Sequence, residues 1–486
     1  MTQTEALKIL KTGANVFLTG EPGSGKTHTI NQYVAWLRKN SINPSVTAST
    51  GIAATHIGGS TIHSWSGIGI KESLTEYDLD AITQNKRVSD QIRDTRVLII
   101  DEVSMLSCNT LTMVDAVCRA VRRDPRPFGG LQVVLVGDFF QLPPIVRSEA
   151  RAQEELSLDD EPASLFAFSS PAWDELNPFI CYLEEQHRQE DAAFLDLLSA
   201  IRRNGFSEEH RALLRTRYAK TPKKGTTQLY AHNANVDTIN DAELGKLKQE
   251  SRRFEMDSRG NERLISGLKR GCLSPELLTL KIDAKVMFTK NDIARRSYVN
   301  GTLGTVTGFA SETGYPIVKT HAGNTLVVEP VEWSVADNGK ILATIIQLPL
   351  RLAWAMTVHK SQGMSLDAAH MDLSRAFEYG QGYVALSRVR TLEGLSLAGF
   401  NDRALLVHPD ILARDAAFRE LSDAAVEAFQ KIPATDLAHM HAQFIKACAG
   451  RPQSKTSGTL QTEGSSITSP NKKRYGTTIT RRRPRS

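Results

Sequence analysis

Residues 20–27 read GEPGSGKT and restrict the fold of this chain more than any other stretch. They fit the pattern G-x-x-x-x-G-K-[ST], and both flanks supply the context that gives it meaning. An apolar run, Val16-Phe17-Leu18, precedes the pattern, and Ile30, Val34 and Leu37 follow it at helical spacing. Gly20, Gly23 and Gly25 lack a Cβ, so the backbone can turn sharply and aim its N–H groups at a polyphosphate. The helix opening near Lys26 adds free N–H donors and the positive end of its dipole. Lys26 is expected to reach the β- and γ-phosphates, and the Thr27 hydroxyl to ligate Mg²⁺. Ser24 and Thr29 complete the expected nucleotide-binding set on this stretch. A glycine-rich turn that binds nothing would leave both flanks unexplained.

At 486 residues the chain is too long for one core, so two to four domains are expected. Its 41% apolar and 23% charged content fit a soluble globular class. No apolar run approaches the roughly 20 residues that cross a bilayer, which excludes a membrane-embedded function. The 19 residues before Gly20 read as an amphipathic helix (Ala6, Leu7, Ile9, Leu10) leading into a strand, leaving no room for a removable leader. Cys108, Cys118, Cys181, Cys272 and Cys448 show no C-x-x-C spacing, so a reducing compartment fits better than a disulfide framework or a zinc site. The net charge of +5 is uneven: residues 450–486 carry nine Lys/Arg against Glu463, a local +8 that leaves −3 for the rest. Nucleic-acid binding by the body would therefore need local grooves.

Residues 44–50 (PSVTAST) read as a second strand, followed by GIAATHIGGSTIHSW over 51–65. That segment is short of charge and rich in Gly, Thr, Ser and His, which suits a neutral grip on a phosphodiester backbone; an ordinary loop under the nucleotide site would look the same. Residues 66–93 read as a small excursion, helical around 74–82. Residues 96–105 (RVLIIDEVSM) hold a buried parallel strand with Asp101 and Glu102 at its C-terminal end, where ligands gather in open α/β sheets. Asp101 is expected to hold Mg²⁺ through water, and Glu102 to act as general base toward the attacking water. A further strand, 131–136 (LQVVLV), runs into GDFFQLPP over 137–144, placing Gln141 near the γ-phosphate as a sensor.

The series GEPGSGKT, TGIAATHIGGSTIHSW, DEVSM and GDFFQLPP resembles the first motor domain of the PIF/RecD-like branch of superfamily one DNA helicases. Downstream segments match in the family's order: LEEQHRQ (183–189), LYAHNANVDTIN (229–240), WAMTVHKSQGMSL (354–366) and YVALSRVR (383–390). The likeness covers about residues 3–407 and departs from the pattern at His187, where many relatives carry an aromatic residue. It implies that Arg188 and Arg388 reach the γ-phosphate from across a cleft, that Gln3 pairs with adenine, and that Gly363 lies at the nucleotide. It also implies a single-stranded DNA path over Thr50, Gly51, Thr61, His63 and Pro144 from one lobe and Thr357, His359 and Lys360 from the other.

The expected fold is α/β: two RecA-like P-loop NTPase domains with small inserts, a helical C-terminal segment and a disordered basic tail. The first motor domain is assigned to 1–180, with a wedge-like insert at about 66–93. The second is assigned to 181–284 and 341–408, split by an SH3-like β-barrel at 285–340. Short β-branched runs between Gly and Asn turns suggest that barrel, in which Lys290, Asn291 and Asn300 are weak candidates for DNA contacts. Residues 409–450 read as helices packed on the second motor domain. Residues 451–486 carry almost no large apolar side chain and are expected to stay disordered, as a DNA-holding arm, a partner-docking segment or a solvated tail. The resemblance implies an ATP- and Mg²⁺-dependent helicase moving 5′ to 3′ on single-stranded DNA and unwinding forks. A monomer is expected, and the compact build without a leader suggests a cytoplasmic protein of bacterial or viral type. A DNA-stimulated ATPase subunit of a larger recombination or nuclease complex is the alternative. An RNA-directed motor and a small-molecule kinase stand further back.

Overall fold

The computed structural model describes residues 1–57, 59–69, 71–144, 166–185, 191–219, 226–231, 236–290, 292, 297–298, 300–337, 340–363 and 366–450. Arg188, His187, Asn291 and the basic stretch 451–486 lie outside them.

A six-stranded parallel sheet builds the first lobe, in the order Ser60–Thr61, Ser45–Ala48, Val97–Asp101, Gln132–Val136, Val16–Gly20, Phe179–Leu183. Residues 16–18, 97–100 and 133–136 are buried on both faces, which is why they read as unbroken apolar runs. The pleat sends Val16 and Leu18 to one helical layer and Phe17 to the other. The first layer is formed by helices Gln3–Leu10 and Lys26–Lys39, the second chiefly by helix Cys108–Arg122. The excursion after residue 66 folds as helices Glu76–Gln84 and Lys86–Asp94, anchored through Ile82 and Ile92.

Four parallel strands form the second lobe's sheet, in the order Ala355–Thr357, Thr227–Tyr230, Ala369–Leu373, Leu395–Phe400. Between them stands an antiparallel five-stranded sheet, Thr325–Val327, Pro316–Thr320, Leu303–Phe309, Lys285–Phe288 and Leu350–Leu352, with its own core of Val286, Phe288, Val306, Val318 and Leu350. The hairpin Val331–Asp337 and Lys340–Gln347 pairs with Asp257–Gly260.

Three expected boundaries change. The division at 180 falls inside strand Phe179–Leu183, which pairs with Val16–Gly20 across its whole length. The β-rich insert reaches beyond 285–340 on both sides, because strands at 252–260 and 340–352 complete its sheets. The C-terminal helices pack chiefly on the first lobe rather than on the second. Phe418 of helix Pro409–Gln430 lies 5.3 Å from the Phe17 ring, and Ser422 Oγ accepts the Tyr182 N–H at 3.1 Å. Helix Ala434–Ala447 sets Phe444 parallel to Trp36 of the loop-following helix. The first lobe contributes a buried aromatic cluster (Phe17, Phe139, Phe168, Trp173) that receives Phe418 and that the amphipathic spacing alone could not locate. Among the described residues no helix is long and apolar enough to cross a membrane.

Candidate functional site

Three strand ends converge at the C-terminal edge of the first sheet: Val16–Gly20 with its loop, Val97–Asp101 with Glu102, and Gln132–Val136 with the turn to Gln141. In the loop, Gly20, Gly23 and Gly25 take φ of +143°, +96° and +88°, conformations that a side chain would strain. A Cβ on Gly25 would also collide with the Gln3 amide, which instead donates to the Ser24 carbonyl at 3.3 Å. The Gln3 N–H donates to Glu185 at 3.1 Å, tying it to the segment before Arg188. Lys26 Nζ donates to the carbonyls of Gly20 (2.7 Å) and Glu21 (3.1 Å), so its ammonium sits within the cradle of its own loop. Thr27 is exposed at the head of the helix. Ser24 Oγ is buried and has no hydrogen-bond partner, an unmet polar group facing the loop. Thr29 is a correction: it is fully buried, its hydroxyl on the Gly25 carbonyl at 3.1 Å, so it braces the loop from behind.

Glu102 has φ of +52°, a strained conformation for a non-glycine residue. Its N–H donates to Asp101 Oδ1 at 2.9 Å and its carbonyl accepts from Ser49 Oγ at 2.7 Å. Ser49 thus joins the acidic pair to the helix Gly51–His56 that follows it. Burial raises the Asp101 carboxyl, opposed by the Glu102 N–H and the Lys26 charge. Burial, and then the Asp101 charge, push Glu102 up to about 7, against the pull of Lys26 and Arg388. Folded Glu102 therefore holds its proton more tightly than the unfolded chain does. Its effect on stability worsens as pH rises from the ordinary 4.5 toward about 7, and the full penalty stands above that. Glu102→Gln is expected to raise the melting temperature of the nucleotide-free protein by roughly 2–4 °C at about pH 8 and by less at about pH 5. An equal shift at both pH values would remove the titration argument.

Gln141 Nε2 donates to Asp138 Oδ2 at 3.3 Å, and its Oε1 accepts from Gln362 Nε2 at 3.5 Å. Gln362 also donates to Glu102 Oε2 at 3.1 Å. One side chain of the second lobe thus touches two candidate groups of the first. Gln362 was absent from the expected set, although it lies in the same HKSQG stretch as Gly363, which is exposed at φ +77°. Arg388 is 1% exposed; its Nε donates to the Val384 carbonyl and its Nη2 to Ser387 Oγ, both at 2.8 Å. It lies close enough to Glu102 for its charge to lower that carboxyl.

The expected DNA residues follow strand ends in both sheets. Thr50 and Thr61 accept the Ala53 and Ser64 N–H groups, each at 3.2 Å, and so head the short helices Gly51–His56 and Ile62–Ser66. Burial lowers the His63 imidazole, favouring its neutral form. Gly51 abuts Gly271 of helix Glu262–Gly271, so closely that a Cβ on it would stand 2.8 Å from the Gly271 Cα. His359 is half-buried, and the Lys360 side chain is outside the described set. Thr357 and Pro144 are corrections: both are buried, which places them behind any strand-facing surface. Lys290 stacks on Trp333 at 4.9 Å and donates to the Glu332 carbonyl, so it is turned into the insert.

A family model for PIF1-like helicase matches residues 3–211. The ATP-dependent DNA helicase Pif1 of Psychrobacter sp. is 43% identical over 509 residues, covering 93% of this chain and 75% of that protein. The chain belongs to the PIF1-like helicase family. The human member, ATP-dependent DNA helicase PIF1, is 37% identical over 86% of this chain, which spans 63% of the human protein's length. Among solved PIF1-like helicases, Bacteroides sp. Pif1 in complex with ADP-AlF4 aligns with a TM-score of 0.74 at 31% identity, covering 86% of this chain and 96% of that one. The Bacteroides protein bound to ssDNA aligns at 0.60, with 31% identity over 85% and 96%. The two parallel sheets described above are the RecA-like pair of this family's fold.

Proposed function

We propose that this protein is an ATP-dependent DNA helicase that moves along single-stranded DNA, with 5′ to 3′ direction, and opens forked duplexes. The observation that carries the reading is the Gln362 bridge. A side chain from the second lobe joins Glu102 and Gln141 of the first, where the Arg388 charge is also felt. A single-lobe kinase has no use for that junction. Family membership supports ATP use and DNA as the track.

The residues present fit a magnesium nucleotide: an unpartnered buried hydroxyl at Ser24, a lysine already inside the loop, and two adjacent carboxyls raised chiefly by burial. Thr27 and Asp101 would hold Mg²⁺, which supplies the charge that lets the acidic pair ionise and screens the phosphate oxygens. Lys26 exchanges its loop carbonyls for phosphate oxygens, and Gln3 accepts and donates at the adenine edge. Glu102 takes a proton from the attacking water, Gln141 reports the γ-phosphate, and Arg388 with Arg188 stabilises charge in the transition state. Loss of that phosphate removes the reason for the lobes to stay closed. Thr50, Gly51, Thr61 and His63 then shift relative to His359 and Lys360, advancing the strand. The excursion carrying Tyr77, 82% exposed, is the proposed wedge.

The protein acts as a monomer in this reading, with the basic residues of 451–486 adding salt-sensitive phosphate contacts or docking a protein partner. Five free thiols support a reducing, cytoplasmic setting. Steady-state ATP hydrolysis with matched DNA and RNA oligomers tests the reading. Stimulation by DNA well above RNA is expected; equal or absent stimulation by DNA would overturn it.

A further inference from the structure

Arg202 closes helix Ala192–Arg202 and is 2% exposed, among the largest fully buried side chains of the protein. Its guanidinium lies over the Phe140 ring at 3.9 Å. One terminal nitrogen donates to Asp138 Oδ1 at 2.8 Å and to the Tyr383 hydroxyl at 3.1 Å. The other donates to the Tyr182 hydroxyl at 2.7 Å, with Asp415 Oδ1 at 3.8 Å. No step derived above uses this group.

A buried arginine is an expensive way to hold a core together, since apolar replacements of such clusters are often as stable or more so. What the charge adds is fixed orientation, and its partners lie on the parts that must be oriented. Asp138 gives one oxygen to Arg202 and the other to the Gln141 amide. Gln141 in turn receives Gln362, which holds Glu102. Tyr383 lies on helix Gln381–Leu386; Arg388 follows two residues after its end, with its Nε tied back to the helix at Val384. The head of that helix presses on the first lobe: a Cβ on Gly380 would stand 2.5 Å from the Phe140 carbonyl oxygen. The same guanidinium therefore reaches Gln141 through Asp138 and, through Tyr383, the helix to which Arg388 is tied.

We propose that Arg202 is a positioning residue that locks the orientation of Gln141 to that of the Arg388 helix, so that both address the γ-phosphate together. The proposal rests on the motor reading of the site and adds a part to it. A planar fork serves Asp138 and Tyr383 from one nitrogen and Tyr182 from the other in a fixed geometry; a lysine offers its charge at a single point on a flexible stem. Weakening the lock leaves nucleotide binding in place and slows the chemical step.

The test uses the full chain and measures DNA-stimulated ATP hydrolysis for Arg202→Lys, Gln141→Ala and the double variant, with melting temperatures alongside. Arg202→Lys is expected to lower kcat by about tenfold or more with KM for ATP within about twofold. In the Gln141→Ala background the same change should lower kcat by less than about twofold, because the group it acts through is gone. Arg419→Gln is the structural control. Arg419 meets the same cluster at Asp415 (2.8 Å) and the Tyr182 hydroxyl (2.6 Å), and its loss should lower the melting temperature with kcat unchanged. If Arg202→Lys does not fold, Tyr383→Phe, which removes one hydroxyl, carries the test through the same loss of kcat at constant KM. Unchanged kcat, a rise in KM instead, or a full multiplicative loss in the Gln141→Ala background would overturn the proposal. A wild-type chain without DNA-stimulated turnover would overturn the motor reading, which is a distinguishable result.

Discussion

Lys26→Ala abolishes ATP hydrolysis while the protein still binds a single-stranded DNA oligomer. In the nucleotide-free protein the ammonium bridges the Gly20 and Glu21 carbonyls, two hydrogen bonds worth about 1 kcal/mol each, so the fold is expected to survive their loss. In the proposed reading, the same ammonium supplies a fixed positive charge to the phosphates from the loop side. Its removal should cost at least roughly 10³ in kcat. The candidate DNA residues Thr50, Thr61 and His359 lie on other loops and are untouched by it. Turnover in Lys26→Ala within about tenfold of wild type would refute the assignment of the loop.

Arg388→Ala binds ATP normally and loses DNA-stimulated hydrolysis by roughly 10³ or more, the range for an arginine supplied to a phosphoryl-transfer site. The buried guanidinium is held by Val384 of the preceding helix and by Ser387 just past its end, which presets it before any ligand arrives. Its charge already pulls on Glu102, so the variant should also move the acid limb of the rate profile to higher pH. Binding of a fluorescent ATP analogue together with steady-state turnover separates the cases. Weak nucleotide binding in place of slow turnover would take Arg388 out of this role.

The loop and the acidic pair were legible because their chemistry demands fixed spacing on a strand–turn–helix frame, and both flanks are local in sequence. The same holds for strands 97–101 and 132–136, whose apolar runs announce burial on two faces. Gln362 and Ser49 were not legible as site residues. Their roles come from contacts across 260 and 53 positions, and an amide or hydroxyl carries no spacing rule of its own. Thr29 and Thr357 misled for the reverse reason: a hydroxyl in the right motif can face inward, and period alone does not say which. The C-terminal helices showed their amphipathic face but not its partner. An apolar stripe fits any apolar surface, and here the one it covers is the aromatic cluster around Phe17 and Trp173. The β-rich insert was under-drawn because strands Arg252–Glu255 and Asp257–Gly260 are charged and exposed, and read as loop.

The most direct measurement is ATP-dependent displacement of a labelled strand from partial duplexes carrying either a 5′ or a 3′ single-stranded tail. Release of the strand from the 5′-tailed duplex, dependent on hydrolysable ATP and absent with Lys26→Ala, is the predicted result. Hydrolysis of ATP on both substrates with neither strand released would contradict it.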